Sequence, residues 1–121
     1  MIGWGSILYG AALSALAAAI VVWLIRERRP AVVASAALAA AAGPIAWNAI
    51  LHHLDAREFF VDAPIPVFPV SWQDTGSGVF ALAAATLTLG LGVLRTASAS
   101  TLTRIALSCA VAALLVDVYL Y

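Results

Sequence analysis

His52, His53 and Asp55 stand together in a chain that is otherwise short of ionisable groups, and Asn48 precedes His52 by four residues. An imidazole beside a carboxylate can ligate a divalent ion or take up a proton. Such nitrogen and carboxylate donors suit zinc, copper or iron better than calcium. If the helix carrying Asn48 runs on past Leu51, then Asn48, His52 and Asp55 share one face. His53 and Asp62 add further donors, so the cofactor this reading implies is a divalent metal. Asp117 lies near the end of the last apolar run, and an ionisable group at membrane depth is costly enough to be a candidate proton or ion site.

The same residues have a plainer reading. Two adjacent histidines lack the spacing of a motif such as HExxH. They can instead mark an interface, with the acids hydrated and paired to Arg57, and with Asp117 hydrogen-bonded to Asn48, His52 or Arg57. Ser71 and Ser77 follow in sequence, yet nothing marks a nucleophile elbow or an oxyanion hole. The run from Trp72 to Gly78 lacks the lysine of a P-loop and reads as a turn, with Asp74, Thr75 or Ser77 capping the next helix. These residues point to a non-catalytic chain more than to an enzyme.

The elements that must position them are membrane spans. Of the 121 residues, 64% are hydrophobic and 10% charged, where a soluble domain has roughly half and about a quarter. Such a chain cannot cover its own surface with polar groups. Apolar runs at about 3–25, 31–51, 78–94 and 105–121 each approach the roughly 20 residues that cross a bilayer; the Gly43-Pro44 step interrupts the second. The expectation is an all-α fold, a four-helix antiparallel transmembrane bundle occupying 1–121 as one domain, with an outer loop over 52–77. The first run lacks a basic leading segment and is too long for a signal peptide, so it reads as a retained span.

Charge sets the expected orientation. Arg26, Arg28, Arg29, Arg95 and Arg104, with Glu27, give one side a net +4; Arg57, with Asp55, Glu58, Asp62, Asp74 and Asp117, gives the other a net −4. By the positive-inside rule the arginine side is cytoplasmic, and both termini face outward from the plasma membrane. Trp4, Trp47, Trp72, Phe59, Phe60, Tyr119 and Tyr121 then fall at the outer boundary and Trp23 at the inner one. All six basic residues are arginine and they form no tract for nucleic acid, while Cys109 is the only cysteine, which excludes an internal disulfide.

Helices in lipid associate through close backbone approach, which small residues permit. Ser6, Gly10, Ser14 and Ala18 form one stripe, Ala31, Ser35, Ala39 and Gly43 a second, and Ser108 with Ala112 continue the theme on the last span. Thr86, Thr88, Gly90 and Gly92 offer a small, weakly polar patch on the third. An alanine-rich interior leaves no room for a large ligand. Pro64, Pro66 and Pro69 forbid a regular helix and favour a stiff, extended path. The apolar side chains around them, with Phe59, Phe60, Phe68 and Trp72, make that loop either a lid on the bundle or, the favoured reading, a docking edge for other membrane-protein subunits or for a second copy of the chain. The leading expectation is therefore an accessory membrane subunit, and the alternative a metal- or proton-binding unit of a redox or transport system.

Overall fold

The computed structural model describes residues 3–25, 29–65 and 67–120. Four helices account for most of them: α1 (Trp4–Leu24), α2 (Pro30–His53), α3 (Trp72–Leu91) and α4 (Ala99–Tyr119), with a single 3-10 turn at Arg57–Phe60 between α2 and α3. Each is about 30 Å long or more at the helical rise, and all four are long and apolar enough to cross a membrane. They form an antiparallel bundle in which sequential neighbours pack, α4 closes back on α1, and α2 touches α4 across the diagonal.

Small side chains fill much of the interior, beside a few large ones such as Ile7, Leu51, Leu89 and Ile105. The interior is largely alanine, with Ala18, Ala36, Ala40, Ala81, Ala85 and Ala113 fully buried, while Leu16, Ile20, Leu38, Leu87, Leu91 and Val111 point outward. Burying alanine removes little apolar area from water, so this arrangement gains little from the hydrophobic effect. It suits lipid, where helices gain from close backbone contact instead. The closest approach is at Gly43, where an added Cβ would overlap the backbone of Ala81 on α3.

The small residues do not all face inward as the spacing suggested. Gly10, Ser14, Ala18, Ala39 and Gly43 are buried, but Ser6, Ala31, Thr86, Thr88 and Gly92 are exposed and Ser35, Gly90 and Ser108 half-buried. On α2 the buried column is Val32, Ala36, Ala40, Pro44 and Asn48; on α3 it is Gln73, Ser77, Ala81, Ala85 and Leu89. In helices this rich in alanine, several faces look alike. The rotation is fixed by the polar residues that have partners inside, because an unpaired polar group facing lipid is costly.

Local signals set the helix ends. The third helix begins at Trp72, one and a half turns before the expected start, because Ser71 and Asp74 form a reciprocal capping box: Asp74 N–H donates to Ser71 Oγ at 3.1 Å and Ser71 N–H to Asp74 Oδ2 at 2.9 Å. The segment read as a turn is thus about the first two turns of α3, and the cap is Ser71 rather than Asp74, Thr75 or Ser77. Likewise α4 starts at Ala99, with Ser98 Oγ accepting from Thr101 N–H. α2 runs through Pro44 and ends at His53, where Asp55 takes a left-handed conformation (φ 51°) and Ala56 N–H reaches back to the Leu51 carbonyl. That is the six-to-one bond of a Schellman-type ending, and aspartate is among the few non-glycine residues that tolerate its backbone.

Candidate functional site

The polar residues gather inside the bundle near the end that carries the α2–α3 loop. Asn48 of α2, Gln73 and Ser77 of α3, and Asp117 of α4 are each at least 95% buried. Gln73 is the hub: its Nε2 donates to Asn48 Oδ1 at 3.1 Å and to Asp117 Oδ2 at 3.1 Å, with Ser77 Oγ at 3.4 Å. Asn48 Nδ2 in turn donates to the Pro44 carbonyl at 2.8 Å. That last contact orients the whole set. A carbonyl only accepts, so Asn48 must present its Nδ2 to Pro44 and its Oδ1 to Gln73; Gln73 must then donate, which leaves Asp117 as acceptor.

Aromatic packing holds the hub in place. Trp47 Nε1 donates to the Gln73 carbonyl at 3.0 Å, and its indole stacks at 5.0 Å on Phe80 and at 6.0 Å on Phe59. Gly76 lies flat against that indole, where any Cβ would overlap the ring. The arrangement joins α2, α3 and α4 at one level. It contains a carboxylate, two amides and a hydroxyl, with no activated nucleophile and no base beside one.

The residues singled out as metal donors are dispersed. His52 is half-buried with its ring 5.0 Å from that of Trp4, and His53 is exposed. Asp55 does not share a face with Asn48 and His52, because the helix ends before it; its carboxylate instead accepts from Arg57 Nε at 3.0 Å in an exposed pair. Asp62 is exposed within the loop, Asp74 is occupied in the capping box, and Asp117 is inside the bundle. Among the described residues no three His, Cys, Asp or Glu side chains are placed to hold a metal ion. Of the structural partners expected from sequence, Asn48 and Asp117 do meet, through Gln73. Gln73 and Ser77 were missed because they were read as turn residues. Their four-residue spacing, continuing to Ala81 and Ala85, was the signal available.

The loop is tied down at its base. Ala63 N–H donates to the Val70 carbonyl at 2.8 Å, and two-residue bonds across Pro64 (Ile65 N–H to Ala63 carbonyl) and Pro69 (Val70 N–H to Phe68 carbonyl) make γ-turns that the fixed φ of proline suits. Phe68 packs on Tyr119, whose hydroxyl donates to the Val67 carbonyl, so the loop is also fastened to the end of α4. Phe59, Phe60 and Phe68 are half-buried against the bundle; Leu54, Val61, Pro64, Ile65, Val67 and Trp72 are exposed, Val67 at 80%. Pro66 and Tyr121 lie outside the described residues, as do Arg26, Glu27 and Arg28. A groove of about 320 Å³ runs between the loop and α3, walled by Val61, Asp62, Val70, Trp72 and Thr75.

The four spans and the enclosed polar cluster fit a multi-pass membrane protein. Comparison with known protein families, curated proteins and solved structures found no match for this chain.

Proposed function

We propose that this chain is a non-catalytic accessory subunit of a larger membrane-protein assembly, docking through its α2–α3 loop. One observation carries the reading: the polar groups inside that end of the bundle are engaged with one another, while Leu54, Val61, Ile65 and Val67 stand exposed on a loop fastened at both its base and its tip, with Trp72 exposed beside them at the start of α3. A rigid apolar projection loses little entropy on binding and removes its own surface from water when covered. The charge partition supports an orientation with the loop and both termini outside the plasma membrane and the arginine-bearing ends in the cytoplasm. The partner is another integral membrane protein, reached at the outer boundary of the bilayer.

Photocrosslinking from position 67, in cells and before extraction, tests the proposal. A discrete adduct with a larger membrane protein, lost when Trp72→Asp is introduced, supports docking. A chain that crosslinks only to lipid, and is recovered alone after mild extraction, refutes it. The burial of Asp117 favours a second reading, a proton-binding unit. In that case Asp117→Asn, which keeps the shape of the cluster, abolishes the assembly's activity while leaving the crosslink intact; a purely structural cluster leaves activity in place.

A further inference from the structure

A second groove, at the opposite end of the molecule, is independent of the loop and its proposed partner. It lies on the seam between α1 and α2, has a volume of about 370 Å³, and is walled by Ala19, Ile20, Trp23, Leu24 and Val33. The wall is apolar throughout. Ala19 opens it by being small between larger neighbours, and Ile20, Trp23 and Leu24 leave half or more of their surface uncovered.

What adjoins this groove decides what fills it. Arg29 is the N-cap of α2 and its carbonyl accepts from Val33 N–H, so the arginine stands one turn before the groove wall in the chain. Arg29, Arg95 and Arg104 are exposed and all lie at this end, Arg29 between α1 and α2, Arg95 between α3 and α4, and Arg104 in the second turn of α4. Among the described residues, all the acids (Asp55, Glu58, Asp62, Asp74 and Asp117) lie toward the other end. By sequence Glu27 also belongs to the α1–α2 connection, and against the five arginines of this side it leaves a net charge of +4.

We infer that this seam is a binding site for an anionic phospholipid, with one acyl chain lying along Ala19, Ile20 and Val33 and the phosphate meeting Arg29. A second copy of the chain is a poorer occupant: inserted in the same direction, it brings its own arginines to the same level and is repelled. A zwitterionic lipid fills the groove but gains less from the arginines. Basic residues at the membrane surface each favour anionic lipid by about 1 kcal/mol, or roughly fivefold.

The test is native mass spectrometry of the detergent-solubilised full chain, with equimolar phosphatidylglycerol and phosphatidylcholine of identical acyl chains. The wild-type chain should retain phosphatidylglycerol at least fivefold over phosphatidylcholine. Arg29→Gln should reduce that preference about fivefold, and Ala19→Trp, which fills the groove, should release both lipids. Leu24→Trp, at a position already exposed, is the second filling variant, and unchanged helicity by circular dichroism shows that each variant has folded. Equal retention of the two lipids by the wild type would overturn the inference. So would a preference that survives Arg29→Gln, retention that survives both tryptophan variants, or a groove found occupied by a second copy of the chain.

Discussion

Replacing Gln73 with methionine keeps the length of the side chain and removes its amide, which probes the polar hub directly. Two buried acceptors, Asn48 Oδ1 and Asp117 Oδ2, lose their donor at once. In a water-soluble core, each orphaned group costs about 1–3 kcal/mol. Within a bilayer the unfolded helices find other partners, and an interhelical hydrogen bond averages about 0.6 kcal/mol with a maximum near 1.7. Two such bonds give a loss of roughly 1–3 kcal/mol, and the membrane scale governs because the helices persist when the bundle opens. Steric trapping in bilayers measures this equilibrium without a denaturing detergent. The informative comparison is the triple variant Asn48→Leu, Gln73→Met, Asp117→Leu, in which both principal acceptors are removed with the donor and only the Ser77 hydroxyl is left of the cluster. It should be more stable than Gln73→Met alone, since exchanging a whole polar set for apolar groups of similar shape is close to neutral. A single variant that loses less than about 0.5 kcal/mol, or a triple variant that loses more than the single one, would refute the hub as drawn.

Two other perturbations follow from local geometry. Gly43→Ala drives a methyl group into the backbone of Ala81 and should destabilise the bundle by about 1–3 kcal/mol in the same assay, whereas Gly5→Ala, with nothing near its added carbon, should be close to silent. His52→Ala removes the stack on Trp4 and should cost about 0.5–1.5 kcal/mol, His53→Ala should change stability little, and elemental analysis should find the same metal content in both variants as in wild type.

The number of spans and the separation of charge are legible because hydropathy and arginine placement are one-dimensional properties. What faces inward is not. The run Gln73, Asp74, Thr75, Gly76, Ser77 looks hydrated by composition, yet Gln73, Asp74 and Ser77 are buried, and Gln73 bonds to residues 25 and 44 positions away. No local pattern carries such separations. The alanine stripes misled for a related reason: Ala31 and Ala36 are chemically identical, and it is distant contacts, Asn48 with Gln73 and Gly43 against Ala81, that accompany Ala36 inside and Ala31 out. At Asp55 the failure was of backbone rather than of packing. One residue in the left-handed region ended the helix and removed the carboxylate from the face that His52 and Asn48 were expected to share.

The separation of the two ends is open to direct measurement with single cysteines. Cys109 is buried, and its replacement by alanine gives a background free of reactive thiols. Glu58→Cys and Thr96→Cys then place one exposed thiol in the α2–α3 loop and one between α3 and α4, leaving every arginine intact. In whole cells an impermeant maleimide should label position 58 and leave position 96 unlabelled until the membrane is opened. Labelling of both positions from the same side would mean that α3 does not cross the bilayer, and the bundle could not be the four-span unit described.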